Sequence, residues 1–295
     1  MAEESLKILS GNSTVDYHEK LIRDKIAGFT KKQGRASALS LLTIQVGASA
    51  DIQLYSKYLG RILAKYKIGH QEKVIRDDAG DVEKFIKELR SSSFKENSIT
   101  GVLVFSPLPS WVGEKIFSEL PLDKDVEGRT FLKRNPFGVF SPTAKAVMAL
   151  LKHLERDSNG KFSITGKHAV MVGHSDLVGK PTAMLLSDSG ATVTVCHKET
   201  PTLKKFVSDA EILVVAIGKP GVVQASWIKP GAVVVDVGET LVNGKVVGDV
   251  DYKAILKKVS YVSPVPGGVG PITPLMVIEN LLTLYEYRLN QHGNH

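Results

Sequence analysis

Two stretches of this chain have residue types and spacings suited to holding a flat, phosphorylated ligand. The first is Gly173-His-Ser-Asp-Leu-Val-Gly179-Lys-Pro181. An apolar run, His168 to Val172, precedes it, and a second apolar run with helical spacing begins at Ala183. Glycine after a strand permits a sharp turn, and the amino end of the following helix offers unpaired amides and a positive dipole end to a diphosphate. Gly173, His174, Ser175, Val178 and Gly179 are therefore candidate cofactor-binding residues. The second stretch is Pro264-Val-Pro-Gly-Gly-Val-Gly-Pro-Ile-Thr-Pro274, with four prolines and three glycines in eleven residues. Proline fixes φ and removes a donor, while glycine allows close approach, so such a run builds a rigid loop whose amides can face a ring. It follows a strand-like run, Tyr261 to Val265, at the end of a sheet where open α/β folds bind ligands.

The strand Ala191 to Val195 ends in Cys196-His197-Lys198-Glu199-Thr200. An acidic residue at this position accepts from the ribose hydroxyls of NAD, and a basic one pairs with the extra phosphate of NADP. Lys198 and His197, with His174, form a candidate phosphate clamp, and Glu199 beside them leaves NAD open as the alternative. Lysine offers a point charge rather than arginine's fork, which makes for modest discrimination.

These runs resemble the signature loops of the methylenetetrahydrofolate dehydrogenase/cyclohydrolase family of one-carbon folate metabolism, and the likeness extends over nearly the whole chain. The first run is similar to the family's Gly-Arg-Ser-x-x-Val-Gly-x-Pro pattern, with His174 in place of Arg. Gly218-Lys219-Pro-Gly221 and Asp236-Val-Gly238 resemble further loops that line the nicotinamide side. The resemblance implies contacts from Pro266, Gly267, Gly268 and Thr273 to the folate, and from Gly270 and Thr273 to the cofactor. It also implies a folate site made by a Tyr, a Lys one helical turn later, a Gln in a strand-end Val-Gln-Leu-Pro-Leu-Pro, and an Asp in Lys-Asp-Val-Asp-Gly. Tyr55 keeps its place after Val46-Gly47. The Lys position falls on Leu59, the Gln position on Phe105 in Phe105-Ser-Pro107-Leu108-Pro109, and the Asp position on Glu127. Anchoring at the helix end, Ile68-Gly69, places Arg61 at the Lys position instead.

Ring opening of the methenyl bridge needs proton transfer, which Leu59 and Phe105 cannot perform and which a permanently protonated arginine performs poorly. Hydride transfer needs mainly close positioning of two reactants. The expected activity is thus NADP- or NAD-dependent oxidation of methylenetetrahydrofolate with weak or absent cyclohydrolysis. Three alternatives stay open: a bifunctional enzyme using Arg61 or Lys57, a binding protein without turnover, and a dehydrogenase acting on another substrate.

The elements that must position these residues read as repeated β-α alternation. Val15 to Lys32, Leu54 to Lys67, Val82 to Arg90 and Ala144 to Glu155 have helical spacing. Ser40 to Val46 and Ile99 to Phe105 are apolar runs of the kind buried on both faces of a parallel sheet. A second strand set comprises His168 to Val172, Ala191 to Val195, Ile212 to Ile217, Ala232 to Asp236 and Tyr261 to Val265. The expected fold is α/β in two domains. A folate-binding domain would comprise residues 1–142 and 275–295 and a Rossmann-type domain residues 143–274, the resemblance implying a cleft between them.

The chain has 295 residues, 43% hydrophobic and 23% charged, with a net charge of +7. The basic residues are scattered among acidic ones, so nucleic acid is not an expected partner, whereas an anionic small molecule is. The acidic start, Met1 to Lys7, and the lack of a long apolar run give no expectation of a targeting peptide or membrane span. One cysteine, Cys196, fits a reducing cytoplasm. No metal is expected, and the resemblance implies a homodimer.

Overall fold

The computed structural model describes residues 8–33, 39–47, 49–96, 98–112, 115–129 and 137–292. The acidic start Met1 to Lys7 and the last three residues lie outside the described residues. The elements run α1 (Gly11–Gln33), β1 (Ser40–Val46), α2 (Ala50–Lys65), β2 (Gly69–Ile75), α3 (Ala79–Arg90), β3 (Gly101–Val104), α4 (Pro142–Asp157), β4 (His168–Val172), α5 (Gly179–Asp188), β5 (Thr192–Cys196), α6 (Leu203–Asp209), β6 (Ile212–Val215), β7 (Val233–Asp236), β8 (Thr240–Val242), β9 (Lys245–Val247), β10 (Tyr261–Val262) and α7 (Thr273–His292), with short helical turns between some of them.

The chain divides into two compact units, one of Lys20–Pro142 with Val277–His295 and the other of Met1–Glu19 with Thr143–Met276. The expected division kept the first 142 residues together. Instead, the described part of Met1–Glu19 groups with the second sheet, because Leu9 donates to the Val262 carbonyl and Gly11 to the Gly267 carbonyl.

In the first unit, three parallel strands lie in the order β2-β1-β3. β1 is buried along nearly its whole length, as its Leu, Ile and Val content requires of a central strand. β2, Gly-His-Gln-Glu-Lys-Val-Ile, was not expected from the sequence. It is a polar edge strand with mostly exposed side chains, and nothing in its apolar pattern marks it. α2 starts where the Ser49 hydroxyl accepts from the Ile52 amide at 3.4 Å, and Ser56, Leu59 and Leu63 make its buried stripe. α3 begins earlier than its apolar spacing suggests, because Asp78 caps it by accepting from the Asp81 amide at 2.9 Å. Phe85, Ile86 and Leu89 of α3 pack with Leu42, Ile44, Val102 and Val104 into one apolar core. The later part of α7 is tied to the same unit. Asn280 donates to the carbonyls of Val126 and Phe140 at 2.8 and 2.7 Å, and Arg288 donates to those of Ile99, Thr100 and Asp123.

In the second unit, five parallel strands lie in the order β10-β7-β6-β4-β5. The order reverses between β4 and β6, which makes their carboxyl ends the crevice where doubly wound sheets take ligands. β10 and β6 are shorter than their apolar runs, the remainder bending away as loops. The hairpin β8–β9 is a further element absent from the expectation. Its turn, Asn243-Gly244, has φ of 50° and 75°, the left-handed pair that an Asn-Gly hairpin needs.

Candidate active site

The dinucleotide loop begins where β4 ends. Gly173 has φ of 121°, and a Cβ there would lie 2.3 Å from the Ala216 carbonyl oxygen, so only glycine lets the turn pass the end of β6. A Cβ on Gly179 would lie 2.2 Å from the Gly173 oxygen, so both glycines close the turn against itself. The Ser175 hydroxyl accepts from the amides of Val178 and Gly179 at 3.2 and 3.4 Å and holds the loop at the start of α5. This cradle, free of side-chain bulk at the switch point, fits a dinucleotide diphosphate. Gly173→Ala is expected to weaken NADP binding by about tenfold or more, through strain and lost approach, as read by titration of cofactor fluorescence.

At the end of β5, the rings of His174 and His197 lie 4.9 Å apart and tilted by 40°. The Glu199 amide donates to Nδ1 of His197 at 3.2 Å, which places that ring's proton on Nε2, where it can donate to an anion. Lys198 is 86% exposed, with its amine 3.7 Å from the Glu199 carboxylate. The two expected clamp histidines are therefore brought together, while the exposed Lys198 amine is loosely paired with its acidic neighbour.

Two buried aspartates shape the rest of the rim, and sequence reading passed over both as binding-loop supports. Asp249 accepts from the amides of Ile217, Gly218 and Lys219 at 2.6, 2.9 and 2.6 Å, fixing the expected loop at Gly218 and Lys219. Asp236 accepts from the amides of Gly238, Asp249 and Val250, and burial pushes its carboxyl up to about 6 against those three donors. Cβ atoms on Gly238 and Gly248 would lie 2.1 Å from the Asp249 and Asp236 carboxylates, so these glycines make room for the network. Their glycine-flanked spacing, Asp-Val-Gly and Val-Gly-Asp-Val, was the available signal. Ser263 closes the network by donating to the Asp236 carbonyl and accepting from its amide. It thereby anchors the loop that carries Pro266, Gly267, Gly268, Gly270 and Thr273. Pro266 is exposed, Gly268 is buried, and Gly270 lies beside Glu239, whose carboxyl is raised by burial.

The other expected residues lie in the first unit. Tyr55 is half-buried, and its ring meets that of Phe105 edge to face with centroids 5.9 Å apart. Phe105 is 8% exposed and Leu59 is fully buried in the α2 stripe. A cavity of about 180 Å³ lies beside Phe105, lined among others by Gln45, Ser56, Lys57 and Glu72. The Ser56 hydroxyl donates to the Glu72 carboxylate, and the side-chain nitrogen of Gln45 is buried without a partner. Arg61, the alternative at the Lys position, is exposed and is not part of that lining, whereas Lys57 is. Pro107 is exposed and Leu108 packs on the core below.

Glu127 is 9% exposed, and burial pushes its carboxyl up to about 7, with the adjacent guanidinium of Arg129 opposing the rise. Arg129 had no place in the sequence reading. A larger hollow of about 690 Å³, lined in part by Lys161, Lys167, Lys229 and Lys258, opens at the amino ends of the second unit's strands and holds none of the candidate residues.

A parallel sheet with a glycine-only crossing at its switch point is the frame of a dinucleotide-binding α/β domain. The chain belongs to the tetrahydrofolate dehydrogenase/cyclohydrolase family: residues 141–289 match that family's NAD(P)-binding domain. It is 40% identical over 283 residues to the bifunctional protein FolD of Dictyoglomus turgidum, covering 93% of this chain and 96% of the relative. Among solved structures it resembles the bifunctional FolD of Campylobacter jejuni, with a TM-score of 0.83 and 32% identity over 95% of this chain and 99% of the other. It also resembles the Trypanosoma brucei FolD complexed with NADP cofactor and inhibitor, with a TM-score of 0.81 and 30% identity over 96% and 98% of the two chains. The chain is thus an oxidoreductase of one-carbon folate metabolism with an NAD(P)-binding domain. No helix among the described residues is long and apolar enough to cross a membrane.

Proposed function

We propose that the chain oxidises 5,10-methylenetetrahydrofolate to the methenyl form with NADP in preference to NAD, and opens the methenyl bridge slowly or not at all. The observation that carries this reading is the pair Leu59 and Phe105. One is fully buried and the other lies edge to face with Tyr55, and neither side chain can carry a proton. In the forward step a hydride leaves the bridging methylene carbon with its electron pair, and the two folate nitrogens stabilise the cation that remains. The nicotinamide, when bound, supplies the acceptor for that hydride. Glu127 accepts hydrogen bonds from the pterin amino group and ring nitrogen. Tyr55, braced by Phe105, lies along the folate ring, with Pro107 and Leu108 as apolar contacts. His174, His197 and Lys198 hold the extra phosphate of NADP, and Gly173 to Gly179, Gly218, Lys219, Gly238 and Gly270 hold the rest of the cofactor. Reduced nicotinamide formed from methylenetetrahydrofolate and NADP, faster than with NAD, is the expected assay result. No turnover with either cofactor would sink the reading.

A second reading has support from the cavity beside Phe105. Lys57 lines it, so a bifunctional enzyme would use Lys57 rather than Arg61 for proton transfer. Lys57→Met would then abolish ring opening and leave hydride transfer in place.

A homodimer is also proposed. Leu241, Val242 and Val246 on the β8–β9 hairpin are 65%, 41% and 41% exposed, an apolar surface suited to a second copy. The lone, buried Cys196 fits a cytoplasmic location.

A further inference from the structure

We propose that Arg129 is a positioning residue that keeps the Glu127 carboxylate ionised and aimed, and so sets the pH range over which the folate binds. The inference rests on the reading of Glu127 as the pterin's partner.

Three contacts fix the Arg129 side chain. Its Nε donates to the Glu127 carboxylate at 2.8 Å, its Nη2 donates to the Ser106 hydroxyl, and its guanidinium lies over the Phe117 ring at 4.1 Å. It is 18% exposed and Glu127 11%, so the pair is largely shielded from water, where a neighbouring charge acts strongly. Phe117 below and Ser106 at the side leave the guanidinium one orientation, and the planar fork then holds one carboxylate oxygen, Oε2. The Val104 backbone amide also donates to this carboxylate.

The surroundings oppose ionisation. Burial raises the Glu127 carboxyl to about 7, and Asp125, whose carboxylate accepts from the Glu127 amide at 3.1 Å, raises it further. Arg129 and the Val104 amide act in the other direction. Of the charged groups that act on Glu127, Arg129 is the cation and Asp125 the anion. Lys124, on the same loop, points its amine at the Ile99 carbonyl instead.

A pterin amino group and ring N–H are donors, and they bond more strongly to an ionised carboxylate than to a neutral acid, whose hydroxyl must itself donate. Binding therefore strengthens as pH rises through the Glu127 titration, and KM for the folate falls across about pH 6 to 8 in the native chain. Removing the cation leaves burial and Asp125 opposed only by the Val104 amide, so the titration moves to higher pH. An opposite charge at this range shifts a carboxylate by about one to three units.

The test is the pH profile of KM for methylenetetrahydrofolate, with NADP affinity measured in parallel, for the native chain, Arg129→Gln, Arg129→Lys and Glu127→Gln. In Arg129→Gln the midpoint should rise by about one unit or more and KM at pH 7 by roughly five- to tenfold. Arg129→Lys should recover most of the shift, and NADP affinity should stay unchanged in all of them. Glu127→Gln should have a raised KM that no longer varies with pH. A raised but pH-independent penalty in Arg129→Gln, with the midpoint unmoved, would mean a merely structural arginine and overturn the inference alone. Native KM and an intact pH step in Glu127→Gln would remove Glu127 from the site, overturning that part of the functional reading and the inference with it.

Discussion

Methenyltetrahydrofolate is expected to accumulate when the purified chain turns over methylenetetrahydrofolate with NADP. Its absorbance should rise in step with reduced nicotinamide, and the formyl product should appear no faster than in buffer alone. Positioned acid–base groups contribute about 10²- to 10⁴-fold to such a step, so ring opening should run about that factor below its rate in an enzyme that has them. The reasoning is local. The residue expected at the Gln position is Phe105, 8% exposed and edge-on to Tyr55, and the residue expected at the Lys position, in the register that keeps Tyr55, is Leu59, with no exposed surface at all. Neither can donate to the leaving nitrogen or take a proton from water. Hydride transfer relies on alignment and on the folate's own nitrogens, and loses little. Formyl product appearing at the rate of reduced nicotinamide would shift the weight to Lys57, which Lys57→Met would then confirm or exclude.

Leu59→Lys, the substitution that restores the family's residue at the expected register, should destabilise the protein rather than restore cyclohydrolysis. Leu59 belongs to the stripe with Ser56 and Leu63 that α2 buries. A buried ammonium left without an ion-pair partner costs on the order of 3–5 kcal/mol. For a protein of this size that is a fall in melting temperature of roughly 10 °C. The pH dependence has a definite sign. Burial depresses the new lysine in the folded state below its unfolded value of about 10.4, so the folded protein binds fewer protons, and the variant regains stability as pH rises toward 10. Leu59→Met, which keeps volume and apolarity, should cost less than about 1.5 kcal/mol and show no such pH trend. A Leu59→Lys variant with native melting temperature and new ring-opening activity would show that position 59 opens onto the substrate.

The sequence by itself determined the class of this protein. Motifs made of backbone requirements survive in a one-dimensional reading, because glycine and proline are selected for φ and for space. Gly173 and Gly179 were legible as a dinucleotide turn for that reason, and the structure gives the cause in the carbonyl oxygens that any Cβ would strike. The apolar strands β1, β4, β6 and β7 were legible because burial on both faces demands apolar runs. The edge strand β2 was not, since one polar side is free to face water. The hairpin β8–β9 could have been found from Asn243-Gly244 alone.

What the tertiary structure decided were the partnerships between residues distant in sequence or lacking a motif. Asp249 supports a loop some thirty residues before it, through three amides that carry no side-chain signature. Lys57 and Arg61 are equivalent in a sequence and both are exposed, and only the packing of α2 against the sheet puts the first on the cavity that Phe105 lines. Arg129 reads as a loop cation until Ser106, Phe117 and Glu127 close around it. Charge in a buried site depends on burial and neighbours together, and those are properties of three-dimensional packing, not of residue order.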